Sequence, residues 1–486
     1  MKINLAGYNV DTSLLQRLEA ENGQALTPET FSAAYARISR SPKDITALRK
    51  QAREDVSKAR VSNQTIIFDM GHHSVAEHAV FNLDVIDISR LALEELEKFR
   101  LVSYTEKSQR YVTLEGDYLV PKEIEDPADI QRFREMVHRQ NEFYRKAFAR
   151  LMDFITRKHS DLAKKKKNKK LLEGWAKEDA RYILSLATLG QVGVTINARN
   201  LEHLFRRLSL SRRLECRALG GEIHRMIKEI APSLILFPEP SAFEKKMHGD
   251  FRHNFRLDEV EQNVSLEPSI VDYTEGGDLK ILAAFVSVFN SIDYPEAFTR
   301  VKVLTDAERK QIFRQLFETM EFFDSPPREF EFADVTFQAV ISAANFAQLK
   351  RHRMATLLAG PYDTALGYTM PDNIRYAGLA GEFEEIIEET DEVYARLKSK
   401  YGTAADYILT NSHHRMVLMK MNLRELYHFT RLRDDEHAQW DIRRLAKALK
   451  EQAIELFPFS SLLLCGKSTF VTQYKKIFNE EPQFII

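Results

Sequence analysis

Cysteine is scarce in this 486-residue chain, with Cys216 and Cys465 the whole complement. Two thiols make no disulfide framework, and a reducing cytoplasm is the expected compartment. An excess of charge of one sign is lacking too. Lys+Arg number 70 against Asp+Glu 71, a formal net charge of −1. That balance supplies no field to gather a polyanion, so a nucleic acid polymer is not an expected partner; a local phosphate site stays compatible with it. Apolar runs such as SLLLC at 461–465 fall far short of the roughly 20 residues that cross a bilayer, so no membrane partner is expected. The opening MKINLAGYNVDTSLLQRLEA has no continuous apolar stretch, and no secretory signal is expected there. What remains is an ordinary globular composition, 44% hydrophobic and 29% charged, in a chain long enough for two domains.

Along the chain, residues 43–60 have few helix breakers and read as helix. Phe81, Leu83 and Val85 alternate with Asn82 and Asp84, the period of a half-buried strand. Residues 128–160 read as a long charged amphipathic helix, the lysine run at 164–170 as a solvated loop, and 175–232 as helix again. Residues 241–277, with Pro, Gly and acidic residues and no clear period, read as a connector. The second half is expected to repeat the first. EFEFADVTF (329–337) aligns with AEHAVFNL (76–83), LKRHR (349–353) with LEKFR (96–100), and NLRELYHFTRL (422–432) with NARNLEHLFRRL (197–208), in the same order. The expected organisation is repeat 1 over 1–240, the connector, and repeat 2 over 278–486.

Four patterns carry candidate chemistry. GHHSVAEH at 71–78 offers His72, His73, Glu77 and His78, but not the HExxH spacing of a helical zinc site, and a packing role suits it as well; no metal is expected. In RLVSYTEKSQRY (100–111), Glu106, Ser108 and Arg110 alternate and would face one way in an extended segment. A guanidinium beside a hydroxyl and a carboxylate suits a nucleotide, or belongs to a plain surface loop. KRHR at 350–353 packs four basic positions into one turn, which a solvated helix end would also explain. Asn422, Arg424, His428 and Arg433 lie on one helical segment, followed by AQWDIR, and need not share a face.

Together these motifs resemble the flavin-dependent thymidylate synthases (ThyX), whose hallmark is RHR in RHR-x-x-S-x-x-E-x-S-x-R-Y, preceded by an H-x-S/T-x-x-E-H box and followed by A-R-x-x-L and N-A-R-x-L-x-H-F. HHSVAEH, SYTEKSQRY, ARYIL and NARNLEHL match in repeat 1; RHR and NLRELYHFTRLR…HAQWDIR match in repeat 2. The resemblance covers roughly 30–235 and 280–455. It implies an α+β fold of two tandem helix-rich domains, each with a small central β-sheet. It also implies reductive methylation of dUMP to dTMP, with FAD as cofactor and methylenetetrahydrofolate and NAD(P)H as co-substrates.

Neither copy is complete. Repeat 1 keeps Glu106, Ser108, Arg110 and Arg181 but has Lys98-Phe99-Arg100 for RHR and Glu95 for the glutamine before it. Repeat 2 keeps Gln348, Arg351, His352, Arg353, Asn422, Arg424, His428 and Arg433 but has Ala359, Pro361, Asp363 and Asp406 in place of the first set, and PPREFEF (326–332) for the histidine box. The resemblance implies one composite site between repeat 1 and repeat 2. There Glu106, Ser108, Arg110, Arg181, Gln348 and Arg351 would bind dUMP, Arg433 would act in catalysis, and His72, Ser74, Arg351, His352, Arg353, Asn422, Arg424 and His428 would bind FAD. The opposite pairing would turn acidic groups towards a phosphate. A homodimer would complete a pseudo-tetramer. A non-catalytic flavin or nucleotide binder derived from the same family is the alternative reading.

Overall fold

The computed structural model describes residues 1–11, 27–38, 41–110, 112, 114, 116–251 and 265–484. Part of the connector (252–264) and Tyr111 of the SQRY motif lie outside them.

Two four-stranded antiparallel sheets organise the chain. The first contains β1 (Lys2–Tyr8), β2 (Val80–Ser89), β3 (Ser103–Glu106) and β4 (Leu189–Asn197), in the order β1-β2-β4-β3. The second contains β5 (Ser269–Tyr273), β6 (Asp334–Ser342), β7 (Thr356–Tyr362) and β8 (His414–Asn422), in the order β5-β6-β8-β7. The register repeats as well. Phe81 lies opposite Ile196 and Leu83 opposite Val194; Val335 lies opposite Met421 and Phe337 opposite Met419. The fold is therefore α+β, with helices far outnumbering strands and one small sheet in each half.

Local chemistry turns strand into helix at matching places. Ser89 ends β2 and caps α1 (Arg90–Leu96), its hydroxyl accepting from the Ala92 N–H; Ser342 ends β6 and caps α6 (Ala343–Leu349) through Asn345. Asn197 and Asn422 do the same between β4 and α4 (Ala198–Ser209) and between β8 and α8 (Leu423–Arg433). The next helices, α5 (Leu214–Ile230) and α9 (Trp440–Leu456), are tied to those serines. Glu215 accepts from the Ser89 hydroxyl at 2.6 Å, and Asp441 from the Ser342 hydroxyl at 2.6 Å.

By packing, the chain forms two compact units: Met1–Glu261 with Pro371–Thr410, and Gln262–Met370 with Asn411–Ile486. In the first, Phe81, Leu83, Val85, Val192, Val194 and Ile196 join one face of the sheet to a core completed by α4 and α5. The long helix α2 (Pro127–Lys158) packs along α7 (Ala380–Tyr401). Buried Asp129 of α2 accepts from Arg396 at 2.8 Å, Lys400 at 2.6 Å and Tyr401 at 3.1 Å. In the second unit, Val335, Phe337, Val417 and Met419 pack with Phe330, Leu426 and Leu449.

Two segments differ from their sequence patterns. Within 175–232, Leu189–Asn197 is a central strand: Val192, Val194 and Ile196 alternate inwards, a period-two signal overshadowed by helix on both sides. In the connector, Ser269–Tyr273 forms the edge strand β5, too short to announce itself. The lysine run is exposed in short helical turns, with Lys164 paired to Asp161 at 2.8 Å.

Candidate active site

In the first unit an arginine cluster forms around Arg181. Strand β3 carries Glu106 and its chain continues to Ser108, whose hydroxyl accepts from the Arg110 N–H at 3.1 Å. Arg110 pairs with Glu178 at 2.7 Å; Glu178 lies near the end of α3 (Lys169–Ala180). Arg181 follows directly in a one-turn 3-10 helix and is only 5% exposed. Burial lowers its pKa; Tyr182 and Glu178 act against that, and Arg110 and Arg90 add to it. Arg90 and Glu94, both buried, pair at 3.2 Å. Guanidinium groups that repel one another in a desolvated place gain from an anion, and a phosphate oxygen set suits their forks.

His72 and Ser74 are exposed at the entry to β2. The rest of that box is engaged in packing and pairing: His78 meets the Tyr35 ring edge-on at 4.5 Å, and Glu77 pairs with Arg199. Among the described residues no group of three His, Cys, Asp or Glu side chains is placed to hold a metal. No helix of the described residues is long and apolar enough to cross a membrane.

The second unit holds the RHR turn. Gln348, at the end of α6, is 5% exposed and donates through Nε2 to Gln439 Oε1 at 3.3 Å. The Gln439 oxygen also caps α9, accepting from Asp441 and Ile442, so it must be the acceptor and Gln348 must present its NH2. The Gln348 carbonyl oxygen then points elsewhere, buried and without a hydrogen-bond partner among the described residues. A buried acceptor of this kind suits a ring N–H.

Arg351 and Arg353 are exposed on either side of His352, which is 4% exposed. The imidazole Nε2 accepts from Arg433 Nε at 2.9 Å, and Nδ1 faces Glu425 Oε1 at 3.2 Å. Arg433 also donates to the Gln348 backbone carbonyl at 3.2 Å. Asn422 caps α8, accepting from the Glu425 N–H at 2.8 Å; Arg424 donates to the Pro326 carbonyl at 2.8 Å; His428 is exposed and its ring lies 5.7 Å from that of His352. Arg351, Arg353 and His428 are exposed, while half-buried Arg424 also pairs with Glu331 at 3.4 Å; cationic donors of this type are compatible with the pyrophosphate of a flavin dinucleotide.

The positions of the lost groups are filled from within the chain. Arg213 stands at the N-terminal boundary of α5, the place Gln439 holds before α9, but its side chain makes no capping bond there. Its guanidinium reaches Asp406 at 2.6 Å and Glu95 at 3.4 Å, while Lys398 takes the other Asp406 oxygen at 3.0 Å and Lys98 pairs with Glu95 at 2.8 Å. Burial opposes the charge on Arg213, but Asp406 and Glu95 outweigh it and hold its pKa above the ordinary value. In the second unit Arg415 stacks between the rings of Phe346 and Tyr362, 4.5 and 4.3 Å away, and donates to the Gly360 carbonyl at 2.9 Å. Asp363 caps a short turn through the Ala365 N–H.

A family model described as thymidylate synthase complementing protein (Thy1) matches residues 24–233 and again 269–459. The chain belongs to the Thy1 family. A flavin-dependent thymidylate synthase from Clostridium tetani is 30% identical over 217 residues, 44% of this chain and 83% of that protein. One from Geobacter sulfurreducens is 31% identical over 215 residues, 43% of this chain and 80% of its own. A UPF0159 protein of Thermoplasma acidophilum is 23% identical over 442 residues, 81% of this chain and 86% of its own. The two matched ranges fall on the two four-stranded sheets, the first containing β2, β3 and β4 and the second β5, β6, β7 and β8.

Arg110, Arg181, Gln348 and Arg433 stand out in the sequence by their motifs, whereas Glu178, Glu425 and Arg213 do not. Glu178 stands three residues before Arg181 on the same helical turn, a spacing that could have marked it.

Proposed function

We propose that this chain makes dTMP by reductive methylation of dUMP, with methylenetetrahydrofolate as carbon donor, NAD(P)H as reductant and FAD as cofactor. The nucleotide site is composite. Repeat 1 (1–240) contributes Glu106, Ser108, Arg110 and Arg181, and repeat 2 (278–486) contributes Gln348, Arg351 and Arg433. One observation carries the reading: the groups retained by one repeat are those replaced in the other, and random decay does not sort residues by role.

Arg110 and Arg181 hold the dUMP phosphate, and Arg351 adds a third cation. The Ser108 hydroxyl keeps its proton to donate, because its oxygen already accepts from Arg110; it binds rather than attacks. The Gln348 carbonyl accepts from the uracil ring. Arg433 faces the uracil and stabilises negative charge as the ring N–H proton leaves. FAD, when bound, supplies the hydride chemistry. Arg351, Arg353, Asn422, Arg424 and His428 hold it, with His72 and Ser74 from repeat 1, and His352 underlies the turn that presents the arginines. The protein works in the cytoplasm as a homodimer equivalent to a tetramer of single-length relatives.

The internal closure around Arg213 favours a second reading, a flavin or nucleotide binder that no longer turns over. Complementation of a thymidine auxotroph separates the two. The synthase reading expects growth, abolished by Arg110→Ala or Arg351→Ala; no growth with a yellow, dUMP-binding protein supports the binder.

A further inference from the structure

Helix α8 opens Asn422-Leu423-Arg424-Glu425, the spacing of a capping box. Only half of the box forms. Asn422 accepts from the Glu425 N–H, but the Glu425 carboxylate turns to His352 instead of returning to the cap. Complete boxes form at Ser241/Glu244 and Thr305/Glu308, so the same chemistry closes elsewhere in the chain. Glu425 is 8% exposed, and burying a carboxylate is costly unless it meets a donor. The donor is His352 Nδ1. An imidazole nitrogen that accepts from a guanidinium carries no proton, so the Arg433 bond to Nε2 places the ring proton on Nδ1. Burial, then Arg433 and His428, press the His352 pKa well below its ordinary value, in keeping with a neutral ring. The chain of bonds ends at Arg433, whose fork is also held by the Gln348 backbone carbonyl.

The matching positions in the first half are Asn200 for Glu425, Phe99 for His352 and, for Arg433, Leu208 without a gap or Arg207 with one. Asn200 folds back on its own cap, Asn197, at 2.8 Å, and Leu208 is core. Carboxylate and imidazole are thus present in one copy and absent from the other.

We infer that Glu425 is a positioning residue: its carboxylate fixes the Nδ1–H tautomer of His352, which in turn sets the direction in which Arg433 offers its guanidinium. The functional consequence rests on the reading of Arg433 as the group facing uracil. The tautomer does not.

Selective 15N-histidine labelling of the full chain, with His352→Gln to assign the signal, reads the tautomer directly. The expected wild-type state is protonated Nδ1 and bare Nε2. Glu425→Gln retains an acceptor; it should preserve that state and keep kcat for dUMP methylation within about threefold. Glu425→Leu removes the acceptor; it should shift the tautomer and lower kcat about tenfold or more, with KM for dUMP changed far less. A wild-type His352 protonated on Nε2 or on both nitrogens overturns the inference. So does Glu425→Leu with unchanged tautomer and kcat. If Glu425→Leu does not fold, the wild type and Glu425→Gln decide. Wild-type protein without dUMP turnover but with the expected tautomer refutes the proposed function and leaves the positioning bond standing.

Discussion

Removing the Arg213 guanidinium leaves Glu95 and Asp406 without the cation that bridges them. Asp406 is 2% exposed and Arg213 15%. Breaking a buried pair on one side costs about 3–5 kcal/mol. Lys398 stays on the second Asp406 oxygen and Glu95 is partly open to water, so Arg213→Gln should cost less, about 2–3 kcal/mol. Asp406→Asn should cost a similar amount, because it leaves Arg213 and Lys398 facing each other across a neutral amide. The double variant should be milder than the sum of the two by about 2 kcal/mol. The chain's two tryptophans make this measurable: Trp175 belongs to the first unit and Trp440 to the second. In a Trp440→Phe background, urea unfolding followed by fluorescence reports the unit that contains the cluster. Additive single effects, to within about 0.5 kcal/mol, would refute the claim that Arg213 and Asp406 close this place as a pair.

Buried neutral His352 gives the second unit a pH dependence of known sign. Its folded pKa lies below the unfolded value, so as pH falls through about 6.5 the unfolded chain gains a proton that the folded chain does not. Stability is full above that range and declines below it, and His352→Gln should flatten the decline in Trp440-detected unfolding between pH 8 and 5; an identical slope contradicts it. A Cβ at Gly466 would stand 1.7 Å from the Asp434 carbonyl oxygen, next to Arg433. Gly466→Ala should therefore lower stability by about 1–3 kcal/mol or more, and an unchanged urea midpoint would contradict that backbone contact. Asp363→Asn keeps the turn cap and alters a group outside the proposed composite site, so complementation should survive it; loss of growth would place Asp363 in the working site.

Much of the fold is local and was legible. The Phe81/Leu83/Val85 alternation is a sheet face, and the run at 128–160 is α2. Strand β4 was hidden because helix flanks both its ends. The Arg213 cluster was hidden for a different reason. Its partners stand 118 and 193 positions away, and neither distance leaves a local pattern. The partner of Glu425 leaves no local mark either, since only the fold brings His352, 73 positions away, close enough to take the carboxylate. Residue types identified the candidate groups, and tertiary pairing decided which of them are held by their own chain.

A single nucleotide site built from both repeats is tested most directly by calorimetric titration of the FAD-loaded chain with dUMP. One dUMP per chain is expected, with binding lost in Arg110→Ala and equally in Arg351→Ala. Two equivalents per chain, or full binding that survives either substitution, would contradict it.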